Sequence, residues 1–232
     1  MELSKRLQAV ADSVTPGNRV ADVGCDHAYI SIYLIEHGIS TKVVAMDVNR
    51  GPLERAKENI DRKGYGSRIQ VRLSNGLEKL EPDEADSILI AGMGGALVIR
   101  ILEEGSHAVR QCKELILQPQ SEIPLVRKYL HEIGFAIIEE QMLEEDGKYY
   151  DIIKAVHSLG SKPYEKEVFY QYGKLLLEGQ DLVTKQYLLR EKRLKGQVME
   201  ELNKNLTENT RKRLSQVEQE MNYIDESLLY YK

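Results

Sequence analysis

The stretch V-A-D-V-G-C-D-H-A-Y, residues 20–29, decides the fold of this chain. An apolar run ends in an acid, a glycine and further small or polar residues, and an apolar helical pattern begins at Ile30. A strand, a tight turn and a helix N-terminus in this order bring backbone N–H groups and the positive end of the helix dipole to a ligand. The sequence therefore predicts a ligand-binding loop directly after the first strand.

A second feature follows the first at a characteristic distance. Residues 43–46, V-V-A-M, are a second predicted strand, and Asp47 follows them. An acid in this place, about 20 residues after the glycine loop, accepts hydrogen bonds from ribose hydroxyls. The two features together predict a site for a cofactor that carries a nucleoside.

The chemistry of the first loop narrows the choice of cofactor. A dinucleotide loop usually has three glycines in the pattern G-x-G-x-x-G, whereas this loop has Gly24 followed by Asp26 and Ala28. A carboxylate at Asp26, beside that of Asp22, would repel a pyrophosphate and suit a cation. S-adenosylmethionine carries an ammonium and a sulfonium but no phosphate, so the loop favours it over NAD. The alternative is an α/β domain whose first turn merely contains a glycine.

The composition limits the classes of protein to which the chain can belong. Its 232 residues are 42% hydrophobic and 30% charged, which allows one domain of ordinary size and a smaller one. Cys25 and Cys112 are the only cysteines and form no disulfide pattern, and the five histidines lack the spacing of metal ligands. We expect a cytoplasmic protein without a metal site or a membrane segment, with a monomer as the favoured state.

The order of the predicted elements indicates the fold class. Strands and helices alternate as far as Gly134, and E-E-D-G-K at 144–148 then joins two strands into a hairpin. Alternation requires a mostly parallel sheet with helices on both faces, and the hairpin adds antiparallel strands at one edge. The predicted fold is α/β, with the element order of Rossmann-like class I methyltransferases.

The pattern changes after Gly160. Leucine and valine residues recur there at three- and four-residue intervals among charges, which predicts two or three amphipathic helices in a coiled coil. We therefore divide the chain into a catalytic domain, residues 1–160, and a helical domain, residues 161–232.

The helical domain also differs from the catalytic domain in charge. Residues 161–232 have a net charge of +1, whereas residues 1–160 have −6. Taken alone, the basic run in the helical domain is typical of a solvated helix face. Basic residues that share a surface can nevertheless contact the phosphates of a nucleic acid. The candidate contacts are Arg190, Lys192, Arg193, Lys195, Arg211, Lys212 and Arg213.

The candidate site residues lie where the predicted strands end, because open α/β sheets bind ligands at the carboxyl ends of their strands. The first loop would face the methionine part, Asp47 would hold ribose, and the third strand end would lie beside adenine. We interpret the three glycines of 92–95 as a loop that approaches cofactor and substrate. The predicted cofactor contacts are Asp22, Gly24, Asp26, His27, Asp47, Val48, Asn49, Asn75, Gly76, Leu77 and Gly92. The predicted catalytic residues are Asp26, Tyr29, Gly92, Met93 and Gly94.

The combination of motifs resembles one known family. The chain is similar to the bacterial tRNA (adenine-22 N1)-methyltransferases in V-A-D-V-G-C-D-H-A-Y at 20–29, D-V-N at 47–49, S-N-G-L at 74–77, A-G-M-G-G at 91–95, L-Q-P-Q at 117–120 and D-G-K-Y-Y at 146–150. The resemblance implies S-adenosylmethionine as methyl donor and methylation in the D-arm region of tRNA. It also implies a Rossmann-like catalytic domain and a C-terminal coiled-coil domain that docks tRNA.

The chemistry of such a reaction fits the residues available. Adenine N1 carries an in-plane lone pair and attacks an electrophilic methyl group directly, so the enzyme positions the reactants and excludes water. A carboxylate such as Asp26 would stabilise the positive charge that develops on the base. Tyr29 and the glycines would grip a base that has been flipped out of the tRNA. A small-molecule methyltransferase and a non-catalytic adaptor with a helical tail stay as alternatives.

Overall fold

The computed structural model describes residues 2–158, 160, 162–204 and 207–232. The chain forms two compact units. The first comprises Met1–Gln141 and Tyr150–Lys162, and the second comprises Met142–Tyr149 and Pro163–Lys232. In contrast to the predicted division at residue 160, residues 142–149 are part of the helical unit although they precede it in sequence. Residue 161, where the predicted helical domain begins, lies outside the described residues.

The elements of the first unit alternate along the chain as predicted. They are α1 (Lys5–Asp12), β1 (Val20–Val23), α2 (Tyr29–Glu36), β2 (Val43–Asp47), α3 (Arg50–Lys63), β3 (Ile69–Leu73), β4 (Ser87–Met93), α4 (Gly95–Glu104), α5 (Ser106–Val109), β5 (Glu114–Pro119), α6 (Ile123–Glu132), β6 (Phe135–Glu145) and β7 (Lys148–His157).

The strands form one sheet in the order β3-β2-β1-β4-β5-β7-β6. The pairs β3–β2, β2–β1, β1–β4 and β4–β5 are parallel, and β7 pairs with β5 in the antiparallel direction. This arrangement confirms the Rossmann-like methyltransferase sheet with a terminal hairpin. The strand order reverses between β1 and β4, and such a switch point is where open α/β sheets bind their ligands.

The core of the sheet is apolar because helices cover both faces of its central strands. All four residues of β1 are buried, and Ile88, Leu89 and Ile90 of β4 have no exposed surface. The hairpin turns at Asp146 and Gly147, whose φ angles of 53° and 74° fit a type I′ turn. The sequence prediction of this turn is confirmed.

A polar cluster lies at the amino ends of the strands. Glu114 begins β5 and is 3% exposed. Its carboxylate accepts hydrogen bonds from the Thr15 N–H at 2.9 Å, the Thr15 hydroxyl at 2.6 Å and the Ser87 hydroxyl at 2.7 Å. Asn18 donates a further bond at 3.2 Å, and the ammonium of Lys154 lies 3.3 Å away. These bonds connect the segment between α1 and β1 to β4, β5 and β7 at one end of the sheet.

The second unit is helical apart from the hairpin tip. Its elements are α7 (Glu167–Tyr172), α8 (Lys174–Glu178), α9 (Leu182–Lys204), α10 (Glu208–Leu228) and a final 3₁₀ turn (Leu229–Tyr231). Ion pairs join Lys192 to Asp225 and Lys195 to Glu220, so α9 and α10 run antiparallel. The predicted helical C-terminal region is confirmed, and its description as a coiled coil stays a prediction.

Candidate active site

The loop after β1 has an unusual backbone. Gly24, Asp26 and Ala28 have φ angles of 75°, 46° and 58°. Only glycine adopts such angles without strain, and asparagine and aspartate tolerate them better than alanine does. Strain of about 1–3 kcal/mol in a non-glycine residue is typical of functional sites, where the surrounding structure holds it in place. The conformation therefore supports the prediction that this loop binds a ligand.

The side chain of Met93, the last residue of β4, covers Gly24. A Cβ added to Gly24 would meet Cε of Met93. The predicted catalytic residue Met93 thus packs on the predicted cofactor residue Gly24. Because Cε is the free end of a flexible side chain that can move aside, the backbone angle, rather than this contact, requires the glycine.

A cavity of about 250 Å³ opens beside this loop. It is lined by Arg6, Leu7, Asp22, Gly24, Cys25, Asp26, His27, Tyr29, Ile30, Ala91 and Gly92. The structure thus brings together six of the predicted site residues from two segments of the chain, residues 22–29 and Gly92. A larger groove of about 530 Å³ lies along α3 and the edge strand β3, but it contains none of the predicted site residues.

Asp22 lies inside β1. The prediction had placed it in the first loop with Gly24 and Asp26. Its side chain is 2% exposed and accepts a hydrogen bond of 2.6 Å from the Ser31 hydroxyl at the start of α2. Burial raises the pKa of Asp22 to about 6, because the charged form is poorly solvated there. A bound ammonium group would supply the opposite charge that this carboxylate lacks.

Asp26 differs from Asp22 in being exposed. The fractional exposure of its side chain is 65%, and its carboxylate lies 3.8 Å from Arg55 and 3.7 Å from His27. The rings of His27 and Tyr29 stack with centroids 5.1 Å apart and an angle of 9° between their planes. The loop thus presents a carboxylate and a flat aromatic surface at the mouth of the cavity.

The predicted residues at the ends of β2 and β3 do not line this cavity. Asp47 ends β2, and its Oδ1 accepts a hydrogen bond of 2.8 Å from the N–H of Asn49, while Val48 is 60% exposed. Gly76 has φ of 53°, and an added Cβ would lie 3.1 Å from Ile101. Leu77 is 1% exposed, so its side chain belongs to the core. Asp47 is nevertheless the last residue of β2, and Asn75 lies two residues after β3, so both lie at the carboxyl edge of the sheet that carries the first loop.

The interpretation of the glycine-rich stretch as a loop was wrong. Gly92 and Met93 lie within β4, Gly94 precedes α4, and Gly95 is its first residue. Gly92 has φ of 79°, at a point where the pairing of β4 with β5 is irregular. A Cβ on Gly95 would lie 2.4 Å from the backbone oxygen of Ser121. Backbone shape and close packing explain these glycines, and only Gly92 lines the cavity.

Sequence reasoning missed the contribution of α1 and β5. Arg6 of α1 lines the cavity, and its guanidinium donates a hydrogen bond of 2.7 Å to the side-chain oxygen of Gln118 in β5. The same oxygen accepts a bond of 3.1 Å from the N–H of Gly92. In the sequence, Gln118 is marked only by the motif L-Q-P-Q at 117–120, which is one of the segments that resemble the family. The motif alone does not indicate a role for Gln118.

The seven basic residues of the second unit are unequally available. Lys192 and Lys195 are held by carboxylates of α10, and Arg190 donates to the backbone oxygen of Gly147 at 3.1 Å. Lys212 pairs with Glu208, and Arg213 with Glu220. In the described part of the chain, no carboxylate pairs with Arg193 or Arg211, the remaining two. Contact with phosphates stays a prediction for all seven.

The described residues contain no group of three or more histidine, cysteine, aspartate or glutamate residues arranged to hold a metal ion. No helix among them is both long enough and apolar enough to cross a membrane.

Known proteins resemble this chain in sequence and in structure. A family model for a methyltransferase domain matches residues 3–153. The tRNA (adenine(22)-N(1))-methyltransferase of Bacillus subtilis is 41% identical over 155 residues, which are 67% of this chain. The matched part covers 65% of that relative, slightly less than two thirds of its length.

Solved structures match over nearly the whole chain. Streptococcus pneumoniae Sp1610, a putative tRNA (m1A22) methyltransferase, is 35% identical with a TM-score of 0.89, covering 98% of this chain and 100% of that one. The same protein has also been solved in complex with S-adenosyl-L-methionine. The m1A22 tRNA methyltransferase TrmK of B. subtilis is 32% identical with a TM-score of 0.87, covering 98% and 99% of the two chains. This chain therefore belongs to the bacterial tRNA (adenine-22 N1)-methyltransferase family.

Proposed function

We propose that this protein transfers the methyl group of S-adenosylmethionine to N1 of adenine 22 in tRNA. The observation that carries the proposal is the cavity at the carboxyl end of β1, where two carboxylates and a strained loop meet the end of β4. Family membership supplies the identity of the substrate. Since tRNA is the proposed substrate, we place the reaction in the cytoplasm, and we expect a monomer.

The residues of the cavity fit S-adenosylmethionine. Asp22 is a buried carboxylate without a cationic partner among the described residues, and the ammonium of the methionine part would provide one. Asp47 uses one carboxylate oxygen for the N–H of Asn49, so its other oxygen is available to ribose hydroxyls. When bound, the cofactor supplies an electrophilic methyl group on a sulfonium.

In this reaction the protein's own residues position the reactants and stabilise the charge that develops on the base. The Ser31 hydroxyl fixes the buried Asp22 carboxylate, which orients the methionine part. The stacked rings of His27 and Tyr29 offer a flat surface against which the target base can lie. Asp26 faces solvent at the mouth of the cavity and is placed to stabilise the positive charge that develops on the adenine. N1 needs no general base, because the attacking lone pair carries no proton.

Methylation of a defined nucleotide tests the proposal. The protein is incubated with S-adenosylmethionine and two transcripts of one tRNA, one with adenine and one with guanine at position 22. We expect 1-methyladenosine, mapped by mass spectrometry, in the first transcript alone. Methylation of both transcripts at another adenine would contradict the assigned position. Turnover of a small metabolite without RNA would support a small-molecule methyltransferase, and failure to bind the cofactor would support an adaptor.

The helical unit is proposed to hold tRNA through its free basic residues. Arg193→Gln with Arg211→Gln should weaken tRNA binding and reduce the slope of log affinity against log salt by about 0.9 for each lost phosphate contact. Lys195→Gln is the control, since Glu220 and Glu191 already neutralise Lys195. An equal loss in the control and the double variant would show that the free arginines have no special role.

A further inference from the structure

Arg6 lies where the dipole of its own helix disfavours its charge. It is the second residue of α1, in the first turn, where the positive end of the helix dipole disfavours a cation. Ser4 already caps this helix, since its hydroxyl accepts a hydrogen bond of 3.3 Å from the N–H of Leu7. In the part of the chain that the structure describes, no carboxylate pairs with Arg6, although Asp22 and Asp26 line the same cavity. An arginine in this position can therefore bind an anion that is not part of the chain.

The guanidinium is nevertheless held firmly in position. It donates to the side-chain oxygen of Gln118 at 2.7 Å, and its carbon lies 5.3 Å from the centre of the Tyr150 ring. Gln118 has no exposed surface, and the N–H of Gly92 donates to the same oxygen at 3.1 Å. A buried amide oxygen with two donors is fixed in orientation. Gln118 and Tyr150 thus fix one N–H and one face of the guanidinium and leave most of its five donors for a ligand.

The contacts of Arg6 place it on the substrate side of the site. Its partners lie on β5, β7 and, through Gly92, the end of β4, whereas Asp47 of the ribose site lies on β2. In the strand order, β2 and β5 lie on opposite sides of the switch point between β1 and β4. The nucleoside half of the cofactor occupies the β2 side in our proposal, so the target nucleotide occupies the other. The anion that a nucleotide brings is its phosphate, which a planar guanidinium binds through two parallel hydrogen bonds.

We infer that Arg6 binds a phosphate of the target nucleotide, and that Gln118 and Tyr150 are positioning residues that hold it for this contact. The inference rests on the proposed function, since it concerns the substrate of the same site. It assigns the N-terminal helix a part in choosing and seating the nucleotide to be methylated.

The first test separates the two ligands. In Arg6→Gln, the affinity for S-adenosylmethionine, measured by calorimetry without RNA, should change less than twofold. The kcat/KM for tRNA should fall at least tenfold, because a charge-assisted contact is lost. Lys5→Gln, which removes a charge from the same helical turn, is the control and should retain its kcat/KM. A loss of cofactor affinity in Arg6→Gln would overturn the inference and assign Arg6 to the cofactor's carboxylate.

The second test probes the phosphate itself. A ligated tRNA carries an uncharged methylphosphonate on the 5′ or the 3′ side of adenosine 22. One of these substitutions should lower the affinity of the wild-type protein saturated with S-adenosylhomocysteine at least tenfold, yet have little further effect on Arg6→Gln. Fully additive losses at both positions would contradict the inference.

A third variant guards against a general effect on folding. Tyr150→Leu leaves Arg6 and its helix intact but removes the ring, and should raise KM for tRNA more than it lowers kcat. Tyr150→Phe keeps the ring face and should restore the wild-type KM. Wild-type protein that binds the cofactor but forms no 1-methyladenosine would refute the proposed function. Wild-type activity with an unchanged KM in Arg6→Gln would refute this inference alone.

Discussion

Asp22 and Glu114 are both buried carboxylates, yet they lie at functionally different regions of the same sheet. Asp22 is 2% exposed and has the Ser31 hydroxyl as its side-chain donor, so burial raises its pKa to about 6. Glu114 is 3% exposed but has donors from Thr15, Asn18 and Ser87 and the ammonium of Lys154. These partners outweigh burial and lower the pKa of Glu114.

The difference shows how one sheet divides stability from function. At the amino ends of the strands, the buried carboxylate of Glu114 finds its donors and a cation within the chain, and the cluster stabilises the fold. At the carboxyl ends, a charge is buried without its counterpart and the loop is strained, so the protein is destabilised there until a ligand completes the site. Variants at the two ends should therefore fail in different ways.

The largest expected effect is on stability, at the amino ends. Glu114→Ala should lower the free energy of unfolding by about 3–5 kcal/mol, because buried donors lose their acceptor and the ammonium of Lys154 loses its carboxylate partner. Lys154 keeps its hydrogen bonds to the Ser13 backbone oxygen and the Thr15 hydroxyl. Glu36→Ala is the matched control, since the Glu36–Lys63 pair lies at the surface, where an ion pair contributes little to stability. Urea unfolding measures both. Equal losses would mean that burial and partner number do not distinguish these carboxylates.

The opposite behaviour is expected of Asp26. Asp26→Asn should lower kcat about a hundredfold or more, comparable to the loss of one charge-stabilising group in other enzymes, while the melting temperature stays the same. Asparagine is the appropriate replacement because it tolerates the left-handed φ of 46°, whereas alanine would add strain. Single-turnover methylation and a thermal melt measure the two quantities. Normal methylation by the variant would show that Asp26 has no part in the methyl transfer.

Asp47 tests the carboxyl end of the neighbouring strand. Asp47→Ala should weaken S-adenosylmethionine binding by about ten- to a hundredfold, because a charge-assisted hydrogen bond to ribose contributes about 1.5–3 kcal/mol. The side chain is partly exposed and accepts a bond only from the nearby Asn49, so the stability should change little. Calorimetric titration with the cofactor is the measurement. An unchanged affinity would exclude Asp47 from the site.

Much of this architecture could be predicted because it rests on local patterns. The buried run at residues 43–46 and the Asp146-Gly147 turn are set by neighbouring residues, and both were found where the sequence predicts them. That Asp22 and Asp26 line one cavity could be predicted for the same reason, since strand, turn and helix follow one another within ten residues of sequence.

The remaining parts of the site could not be predicted because they depend on distant contacts. Arg6 and Gln118 are separated by 112 residues, and no periodicity in either element indicates that they meet. The glycines of 92–95 were misread for a related reason. A glycine required by packing, as Gly95 is against Ser121, looks in sequence like a glycine required by a loop. Only the structure separates these two causes.

The smallest expected effects are those of pH on the free energy of unfolding, and they have opposite signs for Asp22 and Glu114. The raised pKa of Asp22 means that its contribution to stability is fully present below about pH 4 and is lost as the pH rises through about 6. The lowered pKa of Glu114 has the opposite sign, so its contribution is present above its ordinary pKa of 4.5 and is lost as the pH falls. The difference in unfolding free energy between wild type and Asp22→Asn should therefore fall as the pH rises from 4 to 6. The difference between wild type and Glu114→Gln should instead fall as the pH is lowered below 4.5.

Cofactor binding should report the same titration of Asp22. If the ammonium of S-adenosylmethionine binds the charged carboxylate, binding releases a proton below pH 6, and the affinity should fall about tenfold between pH 7.5 and pH 5. Asp22→Asn should bind more weakly at pH 7.5 but lose this pH dependence, since asparagine does not titrate. Isothermal titration in two buffers of different ionisation enthalpy measures both the affinity and the proton released. A variant that keeps the wild-type pH dependence would assign the titrating group to another residue and leave Asp22 as a purely structural acid.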